Sequence, residues 1–394
     1  MVDETPKIAV FTGLFPKVSE TFIVNLLVGL KKEKYDLNIL AYRDPQEKEV
    51  NDKVEKYDLR KDVIYLGSPV NKLRRVLKAL FLFTIYIWSY PKLIRSFNVP
   101  KYGKQSLSLR LFYTQLAVEQ SEELDILHAQ FLDQGLTAAC LKEIGYDFKL
   151  VTTIHGSTSV RNNDLLKTLK ESDKVIVNSE YNAEYLKREY SLKNDKIKVV
   201  PPSIEIDRYK SNKKTSEINL LTVSRLTETK GVVESVKAFK KAKERLSDQK
   251  DVKYHICGDG DIREKLEDLK KSLDLEDDLI IHGFVTGQEK IDLYSESDLF
   301  ILPSHREAFG VVLLEAQASE TPIIASDVGG IPEASPGSAE LVEPKDVESL
   351  SSKIIDLLEN PEKREKMKEE GSKHVRKFDN QKRIKEITKI YEEL

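Results

Sequence analysis

Short apolar runs alternate with longer amphipathic stretches along most of the chain, and the series occurs twice. The runs of the first half include KIAVFTG, YDLNILAYR, DILHAQF, KLVTTIHG and KVIVNS, and those of the second include INLLTVSRL, VKYHICGDG, DLIIHGFV and DLFILPS. Such alternation is typical of parallel sheets covered by helices. The sequence therefore predicts an α/β fold with two Rossmann-like, doubly wound parallel-sheet domains that face each other across a cleft. Ligands of such sheets bind beyond the carboxyl ends of the strands.

The segment 199–219 separates the two series. It contains two prolines, few apolar residues and a cluster of charges, which is typical of a linker between domains. We therefore expect an N-terminal domain over residues 1–200 and a C-terminal domain over residues 201–374. Residues 375–394 include an amphipathic stretch, QKRIKEITKIYEEL, that could pack back on the N-terminal domain.

Composition narrows the class of protein. The 394 residues are enough for roughly two or three domains. Sixty-three basic residues nearly balance 66 acidic ones, so nucleic acid is not expected as a partner. Cys140 and Cys257 are too few for a disulfide framework or a zinc site and fit a reducing cytoplasm. The N-terminus does not have the pattern of a signal peptide.

One stretch departs from this pattern. Residues 71–96 contain a strongly apolar run from Val76 to Tyr90, too short to span a bilayer comfortably. Two interpretations stay open. One is a helix in the interface of the inner cell membrane, whose flanking cations meet anionic lipid, and the other is a buried helix of the N-terminal domain. The flanking cations are Lys72, Arg74, Arg75, Lys92 and Arg95.

Two glutamates stand eight positions apart in PSHREAFGVVLLEAQASETPIIASDVGGIPE, residues 303–333. The pattern places Glu307 in a loop after a strand and Glu315 on the helix that follows. Amide groups of the first helical turn lack partners within the helix and suit a phosphate. Carboxylates beside a phosphate are useful as acceptors for neutral hydroxyls. We therefore predict that one glutamate binds a ribose and the other a second sugar.

Phosphate also requires cations. In VSRLTETKG, Arg225 and Lys230 follow the first strand of the second series. Arginine can bind a phosphate through two hydrogen bonds, and lysine adds a mobile charge. Two cations five residues apart are usually an unremarkable surface pair, but their position between a strand and a helix favours phosphate binding.

The quoted segments resemble a known family. VSRLTETKG, GDGDIREKLE, HGFV and the 303–333 stretch, in this order, resemble the C-terminal lobe of glycosyltransferase family four. In the first half, FPKVSETFI, HAQF and TIHG resemble the subgroup that builds surface polysaccharides. The resemblance implies the GT-B architecture, with an acceptor-binding first domain and a nucleotide-sugar-binding second domain. It also implies transfer of a sugar, of hexosyl type, with retention of anomeric configuration.

The resemblance assigns roles to the four charged residues. It implies that Arg225 and Lys230 bind the donor diphosphate and that Glu315 holds the nucleotide ribose. Glu307 would lie beside the donor sugar as a catalytic residue, bind its hydroxyls and support the positive charge that forms at the reacting carbon.

The other positions carried over by resemblance are contacts to the donor and residues of the first domain. They are Phe309, Gly310 and Val311 as backbone donors to sugar and phosphate, Phe284 and Val285 beside the base, Gly13 near acceptor and phosphate, and His155 as a second catalytic residue. A lone histidine that closes a strand is more often structural, so only the resemblance makes His155 a candidate. Glu320 stands where the family commonly has glycine, which matters for the helix end if the backbone there is left-handed.

The resemblance also concerns cofactors and partners. No metal and no other cofactor is expected, and Asp259–Gly260–Asp261 is interpreted as a strand-to-helix turn rather than a metal site. The expected partners are a nucleotide-sugar donor, a glycan or lipid-linked acceptor in polysaccharide or glycoconjugate biosynthesis, and a membrane contacted through 71–96.

Two alternatives belong to other classes of function. The first is a catalytically silent accessory subunit of the same fold that binds a glycan or a partner transferase. The second is a glycosidase that uses Glu307 and Glu315 as its carboxylate pair. The presence of Arg225, Lys230, Glu307 and Glu315 together argues against the accessory subunit. The helix end beside Glu307, which suits a phosphate, argues against the glycosidase. A nicotinamide dehydrogenase is disfavoured because no G-x-G-x-x-G follows the first strand.

Overall fold

A computed structural model describes residues 6–47, 50–121, 123–156, 163–210, 217–246 and 251–394. The chain forms two compact units. The first comprises Met1–Val177, Ala183–Val200 and Ile384–Leu394, and the second comprises Asn178–Asn182 and Pro201–Arg383. Of the predicted linker 199–219, residues 211–216 lie outside the described part of the chain.

The first unit is built on a parallel sheet of seven described strands in the order β3-β2-β1-β4-β5-β6-β7. Its central strands β4 and β5 are buried on both faces, as expected where helices cover both sides of a sheet. The strands are β1 (Lys7–Leu14), β2 (Asp36–Arg43), β3 (Val63–Tyr65), β4 (Ile126–Ala129), β5 (Lys149–Ile154), β6 (Lys174–Val177) and β7 (Ile197–Val199).

Helices up to residue 200 connect these strands, and several are short. They are α1 (Thr21–Lys32), α2 (Asp52–Lys56), α3 (Lys72–Tyr86), α4 (Val99–Tyr102), α5 (Lys104–Leu107), α6 (Arg110–Gln120), α7 (Leu132–Ile144), α8 (Asn163–Glu171) and α9 (Glu180–Tyr190).

The second unit repeats the design with a parallel sheet of six described strands in the order β10-β9-β8-β11-β12-β13. The strands are β8 (Ile218–Val223), β9 (Val252–Cys257), β10 (Leu279–Gly283), β11 (Leu299–Leu302), β12 (Ile323–Ser326) and β13 (Ala339–Val342). The helices are α10 (Val232–Arg245), α11 (Arg263–Ser272), α12 (Gly287–Ser295), α13 (Val311–Ala318), α14 (Ile331–Ala334), α15 (Val347–Glu359) and α16 (Pro361–Val375).

The last helix, α17 (Asn380–Glu392), contributes to the core of the first unit. Ile384, Ile387, Ile390 and Tyr391 are buried in the same apolar cluster as Ile8 of β1. The Tyr391 hydroxyl is also 2.6 Å from Nδ1 of the fully buried His128. The chain therefore passes through the second unit and ends in the first.

The predicted α/β fold with two parallel sheets is confirmed. Each apolar run quoted above contains a strand, whereas the short strands β3, β7, β12 and β13 were not predicted, because three or four residues carry too little periodic pattern.

The structure tests the buried-helix interpretation of 71–96. Helix α3 packs one side on the core, with Ala79 buried and Leu82, Phe83 and Tyr86 packed against the apolar cluster of the first unit. Its other side is exposed, so the buried-helix interpretation is wrong for that side. No helix among the described residues is long and apolar enough to cross a membrane.

Helix α13 ends in a left-handed residue that is not glycine. Glu320 has a φ of 55°. Its amide donates to the Gln317 carbonyl, and the Thr321 amide donates to the Ala316 carbonyl, which is the hydrogen-bond pattern of a Schellman motif. The family's glycine would fit this position without strain, so its loss affects a helix end, as predicted.

Replacing Glu320 by glycine is expected to stabilise the protein by about 1 kcal/mol, because a left-handed residue with a Cβ costs about that much. Urea-induced unfolding followed by circular dichroism measures the effect. Glu320→Ala is the matched control, since it removes the exposed carboxylate but keeps the Cβ. A glycine variant no more stable than the alanine variant would contradict the prediction.

Candidate active site

The site begins at the point in the second sheet where the chain changes direction. β8 lies between β9 and β11. After β8 the chain continues to β9 on one side of the sheet, and after β11 it continues to β12 on the other side. Loops that follow such a pair of strands diverge and leave a crevice at their carboxyl ends. Arg225 and Lys230 follow β8, and Glu307 follows β11, so the sheet brings these three predicted residues to the same crevice.

Lys230 and Glu307 form an ion pair in this crevice. The Lys230 ammonium is 2.6 Å from Oε2 of Glu307, and each side chain is 15% exposed. Oε1 of Glu307 accepts a hydrogen bond from the Ala308 amide at 3.2 Å. An ammonium has three donor hydrogens, so Lys230 can bind Glu307 and an incoming phosphate oxygen together.

Gly231 allows the two loops to approach closely. Its φ is 64°, and a Cβ placed on it would lie 1.9 Å from the Pro303 carbonyl oxygen. The His305 amide donates to the Thr229 carbonyl at 2.9 Å and joins the same loops. The backbone therefore sets the spacing between Lys230 and Glu307.

A second close backbone contact supports Glu307 from the other side. A Cβ on Gly329 would lie 1.9 Å from the Glu307 carbonyl oxygen, and one on Gly330 would lie 2.3 Å from that of Ala308. The Gly330 amide donates to the Glu307 carbonyl at 3.2 Å. Beyond being turn residues, these glycines pack directly under the loop that carries Glu307.

Helix α13 begins beside Glu307. Gly310, with a φ of 89°, is its N-cap residue, and Val311 is its first residue. Phe309 is buried and packs against Phe378 with ring centroids 5.5 Å apart. Of the first-turn amides, that of Leu313 donates to the Gly310 carbonyl at 2.9 Å. The amides before it point out of the helix end, and the helix dipole makes this end favourable for an anion.

Glu315 lies on α13 and is only 7% exposed. Its Oε1 accepts hydrogen bonds from the Tyr209 hydroxyl at 2.9 Å and the Lys290 ammonium at 2.6 Å. Its Oε2 accepts one from the Tyr294 hydroxyl at 2.9 Å. Glu315 and Glu307 thus have different cations, Lys290 and Lys230, rather than a shared one.

The two tyrosines act as hydrogen-bond donors to Glu315. Burial, and then the charge of Glu315, raise the pKa of Tyr209 well above its ordinary value. The same two causes, in the same order, raise the pKa of Tyr294. Both hydroxyls therefore keep their protons at any physiological pH. The sequence analysis missed Tyr209, Lys290 and Tyr294, since none of them lies in a segment that carries the family resemblance.

Replacing Lys290 by methionine is expected to raise KM for the sugar donor about tenfold with little change in kcat. The reason is that Glu315, assigned to the ribose, loses a charged partner without any change at the reacting bond. Steady-state kinetics with varied donor measure the split. Lys353→Met, which breaks the Lys353–Glu340 pair of the same unit, is the control. A fall in kcat at constant KM would contradict the assignment.

The segment assigned to the base follows β10. Phe284 is 63% exposed, whereas Val285 is buried. Asp259–Gly260–Asp261 forms the predicted strand-to-helix turn between β9 and α11, and its backbone holds the segment that carries Arg225. The Leu226 amide donates to the Asp259 carbonyl at 2.9 Å, and the Ile262 amide donates to the Leu226 carbonyl at 3.1 Å. Among the described residues, no three His, Cys, Asp or Glu side chains are grouped as metal ligands would be.

The two predicted residues of the first unit lie at carboxyl ends of its strands. Gly13 is near the end of β1, and His155 directly follows β5. His155 Nε2 is 3.2 Å from the amide oxygen of Gln130, and its ring contacts Phe22 and Phe131 at centroid distances of 4.3 and 5.1 Å. These contacts fix the ring and are compatible with a structural or a catalytic histidine.

Family models match both halves of the chain. Residues 19–208 match the model described as Glycosyltransferase Family 4, and residues 203–374 match Glycosyl transferases group 1. The chain belongs to glycosyltransferase family four. Its two parallel-sheet units are those of the GT-B architecture, and the resemblance stated from the motifs is confirmed.

Similar proteins cover most of this family-four chain. The amylovoran biosynthesis glycosyltransferase AmsK of Erwinia amylovora is 28% identical over 83% of the chain and 84% of its own length. A putative colanic acid biosynthesis glycosyltransferase, WcaL of Salmonella typhimurium, is 26% identical over 89% of the chain and 90% of its own length.

Solved structures share the fold of the whole chain. A glycosyltransferase from Rickettsia africae superposes with a TM-score of 0.71 at 21% identity, covering 99% of this chain and 98% of its own. HepE of Anabaena, solved in complex with UDP, gives 0.73 at 17% identity, covering 98% of this chain and 100% of its own. At these sequence identities the similarity shows a shared fold and nothing further.

Proposed function

We propose that this glycosyltransferase is a retaining enzyme that moves a sugar of hexosyl type from a nucleotide-sugar to a glycan or lipid-linked acceptor. The proposed setting is polysaccharide or glycoconjugate biosynthesis at the inner, cytoplasmic face of the cell membrane. We further propose that the reaction requires neither a metal ion nor another cofactor.

The Lys230–Glu307 pair at the amino end of α13 is the observation that carries the proposal. A site that cleaves the bond between a sugar and a diphosphate must stabilise positive charge at the sugar and negative charge on the leaving group. The crevice offers an anionic Glu307 beside a cationic Lys230 at the amino end of α13, and Arg225 precedes Lys230 in the same loop after β8. Opposite charges in adjacent positions suit those two demands.

Each donor part has a proposed place in the second unit. Lys230, Arg225 and the first-turn amides of α13 bind the diphosphate, which supplies the compensation that a metal would otherwise provide. Glu307 binds sugar hydroxyls and supports the developing charge at the anomeric carbon. The carbon–oxygen bond to the diphosphate breaks and its electron pair stays on the diphosphate oxygen. The acceptor hydroxyl oxygen forms a new bond on the same face of the sugar, and its proton passes to the leaving diphosphate.

The rest of the donor has proposed places too. Glu315, held by two tyrosines and Lys290, accepts hydrogen bonds from the ribose, and the exposed Phe284 lies beside the base. Val285, Phe309, Gly310 and Val311 shape the same pocket. From the first unit, His155 and Gly13 are proposed to lie near the reacting sugar and acceptor.

The relatives favour this class of substrate. AmsK and WcaL are named for the biosynthesis of amylovoran and of colanic acid, and the HepE structure contains UDP. The two free cysteines, Cys140 and Cys257, are buried, which is consistent with the proposed cytoplasmic location.

A thermal-shift screen against UDP-, GDP-, ADP- and CMP-sugars, each with and without EDTA, tests donor binding and metal independence together. A ligand that binds only the folded protein raises its melting temperature. We expect stabilisation by one nucleotide family, unchanged by EDTA and lost in Arg225→Ala. Stabilisation that EDTA abolishes would contradict the metal-free site, and none with any donor would favour the silent accessory subunit.

A further inference from the structure

Helix α3 carries a continuous apolar stripe on its exposed side. The stripe follows the spacing of one helical face, with neighbours three or four residues apart. We call it the α3 face, and it consists of Leu73, Val76, Leu77, Leu80, Phe81, Ile85 and, just after the helix, Trp88. These side chains are between 46% and 90% exposed, with Trp88 the most exposed. Isolated exposed apolar residues are ordinary, but a stripe of this length marks an interaction surface.

The opposite side of α3 is already occupied by the core of the first unit. Phe83 packs edge-on against Phe97 with ring centroids 5.3 Å apart, and Ala79 is 2% exposed. Asn71 caps the helix by accepting a hydrogen bond from the Arg74 amide. Helix α3 is thus anchored on one side, and its exposed side is presented in a fixed position.

The surrounding sequence is strongly basic. Residues 63–118 contain no aspartate or glutamate, although the whole chain has a net charge of -3. The same stretch contains nine cations, namely Lys72, Arg74, Arg75, Lys78, Lys92, Arg95, Lys101, Lys104 and Arg110. A local excess of positive charge in an otherwise acidic chain is complementary to an anionic partner.

Few of these cations are neutralised within the protein. Among the described residues, only Lys101 and Arg110 meet a carboxylate, at 3.7 and 3.3 Å. Arg75 donates to the carbonyls of Pro69, Val70 and Ser108, and Lys78 donates to that of Gly67. Carbonyl partners orient these side chains but leave their charge available for a partner.

We infer that the α3 face lies in the interface of an anionic lipid bilayer, with apolar side chains among the upper acyl chains and the neighbouring cations at the headgroups. Fifteen helical residues extend about 22 Å, less than the hydrocarbon core of about 30 Å, so α3 lies on the bilayer rather than across it. A tryptophan at one end of the stripe suits the boundary between headgroups and acyl chains. Only one part of the inference rests on the proposed function, namely which face of the membrane α3 contacts.

Charge favours lipid over the other occupants of an apolar face. A second copy of this chain would place the same acid-free, cationic stretch opposite itself, and like charges would oppose that contact. An anionic lipid surface attracts each nearby lysine or arginine by about 1 kcal/mol.

Sedimentation of the full chain with vesicles tests the inference. We expect binding to vesicles of phosphatidylcholine mixed with phosphatidylglycerol, weaker binding to phosphatidylcholine alone, and a fall at high salt to the level seen with phosphatidylcholine alone. The double variant Leu77→Glu/Phe81→Glu should weaken binding about tenfold or more, because it replaces apolar side chains of the α3 face with charged ones. The fold should be unaffected, since both side chains already face solvent. Leu166→Glu, at a residue of α8 that is 47% exposed, is the matched control and should bind normally.

A charge variant separates the apolar and electrostatic parts. Lys72→Gln/Arg74→Gln should weaken binding to the anionic vesicles about tenfold and leave the weak binding to phosphatidylcholine unchanged. Lys61→Gln/Arg188→Gln, at two cations that are both 73% exposed, is its control.

Three outcomes would overturn the inference. They are no vesicle binding by the unaltered chain, equal binding by the α3-face variant, and a dimer in light scattering that the same variant dissociates, which would assign the face to a second copy. Thermal stabilisation by the sugar donor is measured on the same variants and should be unchanged. Loss of vesicle binding with intact donor binding therefore tests the α3 face without testing the transfer reaction.

Discussion

Glu307→Gln is expected to lower kcat about a thousandfold while KM for the donor changes little. Glutamine keeps the shape and hydrogen-bonding capacity of the side chain but removes the negative charge proposed to support the charge that forms at the anomeric carbon. Loss of one preorganised electrostatic group costs about 10²–10³ in kcat. Loss of the ion pair with Lys230 would add to this, since the 2.6 Å contact fixes both side chains. Single-turnover transfer from the donor identified in the thermal-shift screen measures the effect.

The fold should survive this replacement. The loop that carries Glu307 is held by its backbone against Gly329 and Gly330, and the side chain takes no part in that contact. Glu320→Gln, which removes a charge beyond the far end of α13, is the control and should leave turnover unchanged. Full turnover by Glu307→Gln would remove Glu307 from the catalytic assignment, and a lowered melting temperature would indicate a structural role instead.

Arg225→Ala is the second replacement with a large expected effect, a fall in kcat of about a hundredfold together with weaker donor binding. Arg225 is exposed and makes no ion pair among the described residues, so its removal leaves no buried charge behind. The predicted loss is that of two charge-assisted hydrogen bonds to the diphosphate, in the ground state and as charge develops on the leaving group. Arg225→Lys should recover part of the rate, because it restores the charge without the planar pair of donors.

Kinetics with Arg245→Ala control for the loss of a surface arginine. Arg245 is 53% exposed and pairs with Glu348 at the end of α10. Its replacement should change neither kcat nor KM. If Arg225→Ala retained normal turnover, the diphosphate would have to be bound by Lys230 and the helix amides alone.

Much of the fold could be predicted because the central strands are short, apolar and bounded by polar residues. The strands β1 and β8 were identified in this way, and the strand ends then indicated where Arg225, Lys230 and Glu307 would lie. Serine is a common helix cap, so the sequence SETFIVNLLVGLKK predicts Ser19 as the cap of the first helix. That prediction is wrong, because α1 begins at Thr21 with Glu20 in the cap position. Helix ends depend on local backbone geometry and are less constrained by pattern than strands are.

Other parts of the site could not be predicted, because they depend on contacts between distant residues. Tyr209 is 106 positions from Glu315, and no local pattern connects the two. The exposed side of α3 is a related case. Its sequence is apolar around much of the helix, so periodicity could not tell which side would pack on the core and which would face solvent. The absence of acidic residues from 63–118 can be read directly from the sequence, and it indicates a surface for an anionic partner more clearly than the apolar periodicity of α3 does.

The two glycines under Glu307 have a consequence for mutational surveys. At Gly329 even a single methyl group would overlap the Glu307 carbonyl oxygen, so every substitution there must displace the backbone of the loop that carries Glu307. Variants at this position would be scored as inactive although residue 329 has no side chain with which to touch a donor. A map of intolerant positions would therefore include the residues that support this loop as well as those proposed to bind the donor. Substitutions have more freedom at Phe284, which is exposed and is proposed to lie beside the base, than at this turn.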